Sequence, residues 1–147
     1  MDISRVKETA FISGVIDENS DFSPILLPPW PANIDFSGVQ RVNSIGLRTW
    51  MLFLTKWGDK PLNYLNCTTS ISDQLVMVPA LFGIPKKVVK VLSAMISYDC
   101  PKCKHAEDLM IKYDNVHPVP SPEALAPKCR ICFHEMELVE AGYLSIF

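Results

Sequence analysis

The sequence predicts an α/β (α+β) fold followed by a small, cysteine-rich β module. Two observations predict this class. Strand-like and helix-like apolar patterns alternate between residues 8 and 98, which is typical of domains built from a sheet and helices. Two Cys-x-x-Cys pairs, holding four of the five cysteines, then lie between residues 100 and 132. We therefore predict two domains, residues 1–98 and residues 99–147.

The composition limits the size and the setting of the protein. A chain of 147 residues, 48% of them apolar, can form one ordinary domain, or one small domain with an appendage held together by a metal. Lysines interrupt the longest apolar runs before they reach the about eighteen residues of a membrane span. Residues 1–14 do not resemble a signal peptide. We therefore expect no membrane association and a reducing, cytoplasmic location.

The first part of the chain combines a strand with a proline-rich segment. Residues 8–16 carry β-branched and aromatic residues and end in a polar turn, which predicts a strand. Residues 21–33 contain four prolines, which exclude a helix interior and a central strand. The same segment is strongly apolar around residues 25–30. It is either a loop folded over an edge of the core or a contact for a partner, with Trp30 as the candidate contact residue.

The next part of the chain predicts a strand and a helix. Residues 33–39 alternate apolar and polar side chains, as a strand does. Residues 44–58 place apolar side chains at helical spacing, with Asn43 or Ser44 as the N-cap. We interpret the aromatic residues of this helix as core rather than as a ligand pocket.

A second strand–helix–strand unit leads into the cysteines. Residues 61–68 predict a strand in which Cys67 is interpreted as a buried apolar residue and not as a reactive thiol. Residues 70–83 predict a second helix, and residues 88–98 predict a strand that runs without a turn into the first cysteine pair. Residues 133–147, after the second pair, predict a return strand.

The paired cysteines predict a metal site. Cys100, Cys103, Cys129 and Cys132 form two Cys-x-x-Cys turns, each of which can direct two sulfurs and nearby backbone amides towards one ion. Lysines and an arginine beside the pairs favour the thiolate form of the ligands. Four sulfurs match the tetrahedral shell of Zn²⁺ and leave no position for a substrate. We therefore predict a zinc ribbon with a structural zinc ion.

Two other uses of the four cysteines remain as alternatives. An iron–sulfur cluster also takes four thiolates. Two disulfides would need an oxidising compartment. The segment from residue 98 onwards carries five Lys or Arg against eight Asp or Glu, so it lacks the positive charge with which many zinc ribbons bind nucleic acid. Nucleic acid is therefore not the expected partner.

Two short segments carry a family resemblance, namely residues 33–39 (Asn-Ile-Asp-Phe-Ser-Gly-Val) and residues 42–47 (Val-Asn-Ser-Ile-Gly-Leu). With the order of the elements, they make residues 8–98 resemble a STAS domain, the fold of bacterial anti-anti-sigma factors and of the tails of sulfate transporters. The whole chain resembles short bacterial STAS-like proteins with a zinc-ribbon tail. The resemblance implies a mixed sheet with helices on one face.

The resemblance also implies a regulatory site. In anti-anti-sigma factors, the serine that follows the motif aspartate is phosphorylated by a kinase-like anti-sigma partner. That serine corresponds to Ser44, which makes it the candidate phosphosite, although Asn43 stands where the family has aspartate. The alternative role for Ser44 is that of a helix N-cap.

Together these observations predict a non-catalytic signalling module that binds a protein partner. The expected contact residues are Asn43, Ser44, Ile45 and Trp30, and a homodimer is a further expectation. We find no catalytic triad spacing, no phosphate-binding glycine loop and no open metal position in the sequence. The alternatives are a zinc-ribbon adaptor for nucleic acid or the transcription machinery, and a small enzyme that uses Cys67 or Ser44.

Overall fold

The computed structural model describes residues 1–114, 117–119 and 125–147. It has mixed α and β content, as the sequence predicts. The first sheet contains five strands in the order β1-β2-β3-β4-β5, namely β1 (Asp2–Val6), β2 (Thr9–Ile16), β3 (Asn33–Val42), β4 (Leu62–Leu65) and β5 (Val89–Val91). Strand β1 is antiparallel to β2, and each later strand is parallel to the one before it.

The parallel strands are joined by helical connections. Helix α1 (Ser44–Trp57) follows β3, and helix α2 (Thr69–Met77) follows β4. Short 3₁₀ helices at Ser23–Leu26 and Pro79–Phe82 complete the connections. Because neighbouring parallel strands are joined by right-handed crossovers, connections between strands in sequential order fall on one face of the sheet. No helix in the described part of the chain is both long and apolar enough to cross a lipid bilayer.

The two faces of this sheet differ in polarity with the two-residue period of a strand. One row of paired residues is fully buried and consists of Ala10, Ile34, Tyr64 and Val91. The preceding row consists of Thr9, Asn33, Asn63 and Lys90, none of which is buried. The amide of Asn63 donates to the side-chain oxygen of Asn33 at 3.0 Å. The apolar row therefore defines the face that packs on the core.

The centre of the core is aromatic. The rings of Phe36, Trp50 and Tyr64 lie with centroids 5.0 to 5.6 Å apart. Trp50 Nε1 donates to Tyr64 Oη at 3.0 Å, and Tyr64 Oη donates to the carbonyl of Leu81 at 3.1 Å. Every polar atom of this buried group is thus satisfied, and burial raises the pKa of Tyr64 well above its usual range.

A second sheet is antiparallel and has the order β7-β6-β8, with β6 at Ser93–Asp99, β7 at Ala106–Lys112 and β8 at Glu137–Leu138. Only Leu92 separates β5 from β6. Backbone pairing continues from β4 to the residues that follow it. Cys67 N donates to Ser93 O at 3.0 Å, and Met95 N donates to Cys67 O at 2.7 Å, so Cys67 pairs with β6. The two sheets therefore share one nearly continuous strand.

The chain ends in a 3₁₀ helix (Ala141–Ile146) that packs on α2. Tyr143 Oη donates to Asp73 Oδ1 at 2.5 Å, and Ile146 is buried in the core formed by the first sheet and its helices. The predicted return strand over residues 133–147 is therefore wrong except at Glu137–Leu138. The side chain of Glu140 accepts a hydrogen bond from Gly142 N and so caps the start of this helix. The three-residue spacing of Tyr143 and Ile146 suits a 3₁₀ turn.

Candidate metal centre and the surface of helix α1

The two cysteine pairs form equivalent turns. In the first turn, Cys100 N donates to the carbonyl of His105 at 2.8 Å and Lys104 N donates to the carbonyl of Cys100 at 2.9 Å. In the second turn, Cys129 N and Phe133 N donate to the carbonyls of His134 and Cys129 at 2.8 and 2.9 Å. Each turn therefore presents its two sulfurs in the same way.

The four sulfurs converge on one point. All four Sγ atoms lie within 4.8 Å of one another, with Cys100 to Cys132 at 3.4 Å and Cys103 to Cys129 at 3.5 Å. A tetrahedral ion with metal–sulfur bonds of 2.3 Å requires sulfurs about 3.8 Å apart. A disulfide requires about 2.05 Å. The structure thus brings together all four predicted ligands at distances compatible with a metal site.

The backbone and the neighbouring sulfurs shift the pKa values of the thiols in opposite directions. The N–H of Cys103 points at Cys100 Sγ from 3.5 Å and is the main reason why the pKa of Cys100 falls to about 6. The N–H of His105 lowers the pKa of Cys103, but burial and the sulfurs of Cys129, Cys100 and Cys132 together raise it to about 12. Four crowded sulfurs therefore do not all ionise unless a cation compensates their charge.

The surroundings of the cluster are partly apolar and partly charged. Cys100 and Cys129 are buried with Tyr98, Met136 and Tyr143 in a small apolar cluster. Outside it, Arg130 of the second turn forms an ion pair with Glu107 of β7, and His105 Nε2 lies 3.8 Å from the same carboxylate. Glu107 therefore ties the two turns to each other.

The N-terminus of α1 is anchored to the end of β2. Asn43 Oδ1 accepts a hydrogen bond from Gly46 N at 2.8 Å, so Asn43 is the N-cap. Asn43 N donates to the carbonyl of Ile16 at 3.0 Å, and a Cβ at Gly46 would collide with that carbonyl. Ser44 is exposed as the first residue of the helix, and Ile45 is 55% exposed. The turn is thus rigid, while its next two side chains face solvent.

The proline-rich segment covers part of the core and also has exposed apolar side chains. Ile25 is buried in the core, whereas Leu27 and Trp30 are exposed. Arg5 holds the segment to β1 by donating to the carbonyls of Leu27 at 3.1 Å and Pro29 at 2.8 Å. The segment is therefore an ordered surface feature with an apolar outer side.

Trp30 and Ser44 do not form one patch. Lys60 Nζ lies 4.8 Å from the ring of Trp30 and 5.0 Å from the ring of Trp57, the last residue of α1. Ser44 is at the opposite end of a helix about 20 Å long. The four predicted contact residues thus divide into a group at the start of α1 and Trp30 near its end.

A polar network beside Cys67 was not foreseen in the sequence. Asp35 is almost fully buried. Its carboxylate accepts hydrogen bonds from Asn66 Nδ2 at 2.7 Å and from Ser37 N at 2.8 Å. Ser93 Oγ in turn donates to Asn66 Oδ1 at 3.2 Å. Burial, and then the nearby charge of Asp35, raises the pKa of the Cys67 thiol. The network joins residues about thirty positions apart, so no local pattern indicates it.

The fold and the site define a mixed-sheet α/β protein with a candidate four-cysteine metal centre. Comparisons with protein-family models, with curated proteins and with solved structures found no match for this chain. Its function is therefore argued from its own geometry.

Proposed function

We propose that the four cysteines hold a structural Zn²⁺ ion. The convergence of four sulfurs at distances compatible with a metal site carries this proposal. Zinc is favoured over harder cations because every ligand is a thiolate. Four protein ligands close the coordination shell, so the ion would stabilise the turns and would not bind a substrate.

Metal analysis of the purified, reduced protein tests this part. We expect one zinc per chain and no iron or acid-labile sulfide. Cys129→Ser should lose the zinc, whereas Cys67→Ala, which removes the one cysteine outside the cluster, should keep it. Iron in the wild-type protein, or zinc retained at full occupancy by Cys129→Ser, would contradict the proposal.

We further propose that the chain is a non-catalytic, STAS-like signalling module that binds a protein partner through the start of α1. The observation that supports this proposal is that Ser44 and Ile45 are exposed on a turn that is hydrogen-bonded to the end of β2. A rigid backbone that presents an apolar side chain loses little conformational entropy when it binds. The sheet order, with one antiparallel edge strand and helices after β3 and β4, supports the resemblance.

Phosphorylation of Ser44 would give this surface a switch. A phosphate there meets the unpaired amides and the positive end of the α1 dipole, which favour it. It would also place about −1.5 to −2 charges on the contact surface. Glu18, whose carboxylate accepts from Asn43 Nδ2 at 3.0 Å, adds negative charge beside it. A partner with an acidic or apolar surface would then be released.

Affinity capture from the native host, read by quantitative mass spectrometry, tests the interaction. We expect the wild-type protein and Ser44→Ala to capture the same kinase-like or other signalling partner. Ser44→Asp should lose it. Thr55→Asp, an equal charge change at an exposed site near the other end of α1, is the matched control and should retain it. Equal capture by Ser44→Asp and Ser44→Ala would contradict the switch.

A further inference from the structure

The second cysteine turn carries an unusual exposed surface, which we call the knuckle tip. It consists of Ile131 and Phe133, flanked by Lys102, Lys104 and Arg130. Phe133 is 75% exposed and Ile131 is 65% exposed, the highest values among the large apolar side chains of the described residues. Arg130 is paired with Glu107, and Lys102 and Lys104 are exposed.

The conformation of Phe133 indicates that folding does not explain its presence. Phe133 has φ +60°, in the left-handed region that favours glycine and disfavours bulky side chains. Its counterpart in the first turn, Lys104, has φ +63°, so the backbone of the turn itself requires this conformation. A strained position occupied by an exposed ring gains nothing from burial within the chain. Strain of this kind is retained where a residue contacts something else.

A groove with complementary character lies between α2 and the C-terminal segment. It has a volume of about 360 Å³ and is lined by Asp73, Val76, Met77, Val139, Glu140 and Tyr143. Met77 is 64% exposed and Val139 is also exposed, so the groove offers apolar surface. Asp73 and Glu140 make it acidic. We call this surface the acidic groove.

We propose that the knuckle tip of one copy docks into the acidic groove of a second copy. The apolar side chains of the tip match the apolar walls of the groove, and the lysines of the tip match its carboxylates.

The position of the two surfaces along the chain permits a closed dimer. Phe133 precedes β8 and Val139 follows it, and six residues span at most about 20 Å. Two copies related by a twofold axis can therefore exchange the contact reciprocally, tip to groove and groove to tip. The dimer would use a different surface from the start of α1, so partner binding there remains open.

Sedimentation velocity over a wide range of protein concentration tests the dimer. We expect the wild-type protein to dimerise, more weakly at high salt because charge pairs contribute. Phe133→Gly should weaken the dimer about tenfold or more by removing the central ring, and it should raise the melting temperature because glycine relieves the strained φ. Met77→Lys should weaken the dimer similarly, because its charge repels the lysines of the tip, while lysine is well suited to a helix C-terminus.

The matched control and a mixing experiment decide the geometry. Leu52→Ser removes another exposed apolar side chain, 57% exposed on α1, and should leave the dimer unchanged. In a mixture of Phe133→Gly and Met77→Lys, one intact tip meets one intact groove, and the other contact carries both substitutions. Because each substitution alone removes its contact, the heterodimer keeps one contact and each homodimer keeps none. The heterodimer should therefore form at a lower protein concentration than either homodimer. A wild-type protein that stays monomeric, or a dimer that resists both substitutions, overturns the proposal.

Discussion

The sheet around α1 and the cysteine module reach order by different means. The first sheet and its helices surround a continuous core that includes Trp50, Phe36 and Tyr64. The polar atoms of Trp50 and Tyr64 are satisfied inside the protein. The cysteine module has a much smaller apolar cluster, and two of its buried members are Cys100 and Cys129. Strand β7 has no fully buried residue. Apolar burial therefore accounts for the first region, whereas the second needs an ion or a neighbour.

Helix α2 and the strand shared by the two sheets are the neighbouring elements that support the cysteine module. Because β5 and β6 are separated only by Leu92, and because Tyr143 and Ile146 contact the first region, the module is fixed at two places. The two regions thus differ in how much of their order apolar burial explains, and the cysteine module is joined to the first region at both of its ends. Four experiments test this difference between the two regions.

The largest expected effect is that of metal removal. A chelator should unfold the two cysteine turns and β7–β8, because bound zinc contributes on the order of 10 kcal/mol in small zinc domains. All three tryptophans lie in the first region, so their fluorescence should change little. Hydrogen exchange followed by mass spectrometry should show loss of protection in residues 99–112 and 128–138 and retention of protection in α1. Loss of tryptophan emission at the same chelator concentration would show that the first region also depends on the ion.

The second prediction disrupts the first region instead. Leu54→Ala leaves a cavity beneath α1, where Leu54 is fully buried, and should cost about 2–5 kcal/mol of unfolding free energy. Urea unfolding monitored by tryptophan fluorescence measures it. The zinc content below the transition should stay at the wild-type value. A cost within the range of a surface substitution, about 0.5 kcal/mol or less, would mean that Leu54 is not part of the core.

The third prediction addresses the link between the regions. Tyr143→Phe removes the hydrogen bond to Asp73 and should cost about 1.5–3 kcal/mol, the range for bonds to charged groups. Burial, followed by the bond to and the charge of Asp73, raises the pKa of Tyr143 to about 12. A raised pKa adds stability below the unfolded value of about 10, and this stability is lost as pH rises from about 10 to 12. The difference between the wild-type protein and Tyr143→Phe should therefore shrink over this pH range in urea titrations.

The smallest expected effect is at the start of α1. Asn43→Ala removes the cap on Gly46 and should cost about 0.5–2 kcal/mol. Ser44→Ala is the matched neighbour, and because Ser44 makes no capping bond it should cost less than about 0.5 kcal/mol. Equal costs in urea unfolding would assign the cap to both residues.

The sequence is informative where chemistry is local. The two Cys-x-x-Cys spacings indicated which sulfurs would meet, and the strand and helix patterns between residues 8 and 98 identified most of the elements of the first sheet. The cap at Asn43 was one of two alternatives, and the structure selects it because its side-chain oxygen meets Gly46 N. The STAS resemblance, the partner and the switch at Ser44 stay predictions.

The features that the sequence did not indicate depend on distant contacts. Strand β1 has alternating exposed and half-buried residues, and it forms because β2 offers it an edge. The end of the chain is a 3₁₀ helix and not a strand, because α2 provides a surface for Tyr143 and Ile146. The acidic groove joins residues from α2 and from the last ten residues of the chain, so no single segment shows it.

The most direct test of the central claim is native mass spectrometry of the reduced protein combined with hydrogen exchange during chelation. The claim is that an ion bound by four thiolates orders the cysteine module on an independently stable sheet domain. We predict the mass of the chain plus one zinc, and loss of protection in residues 99–112 and 128–138 at the chelator concentration that removes the zinc. A metal-free chain with full protection throughout these residues would contradict the claim.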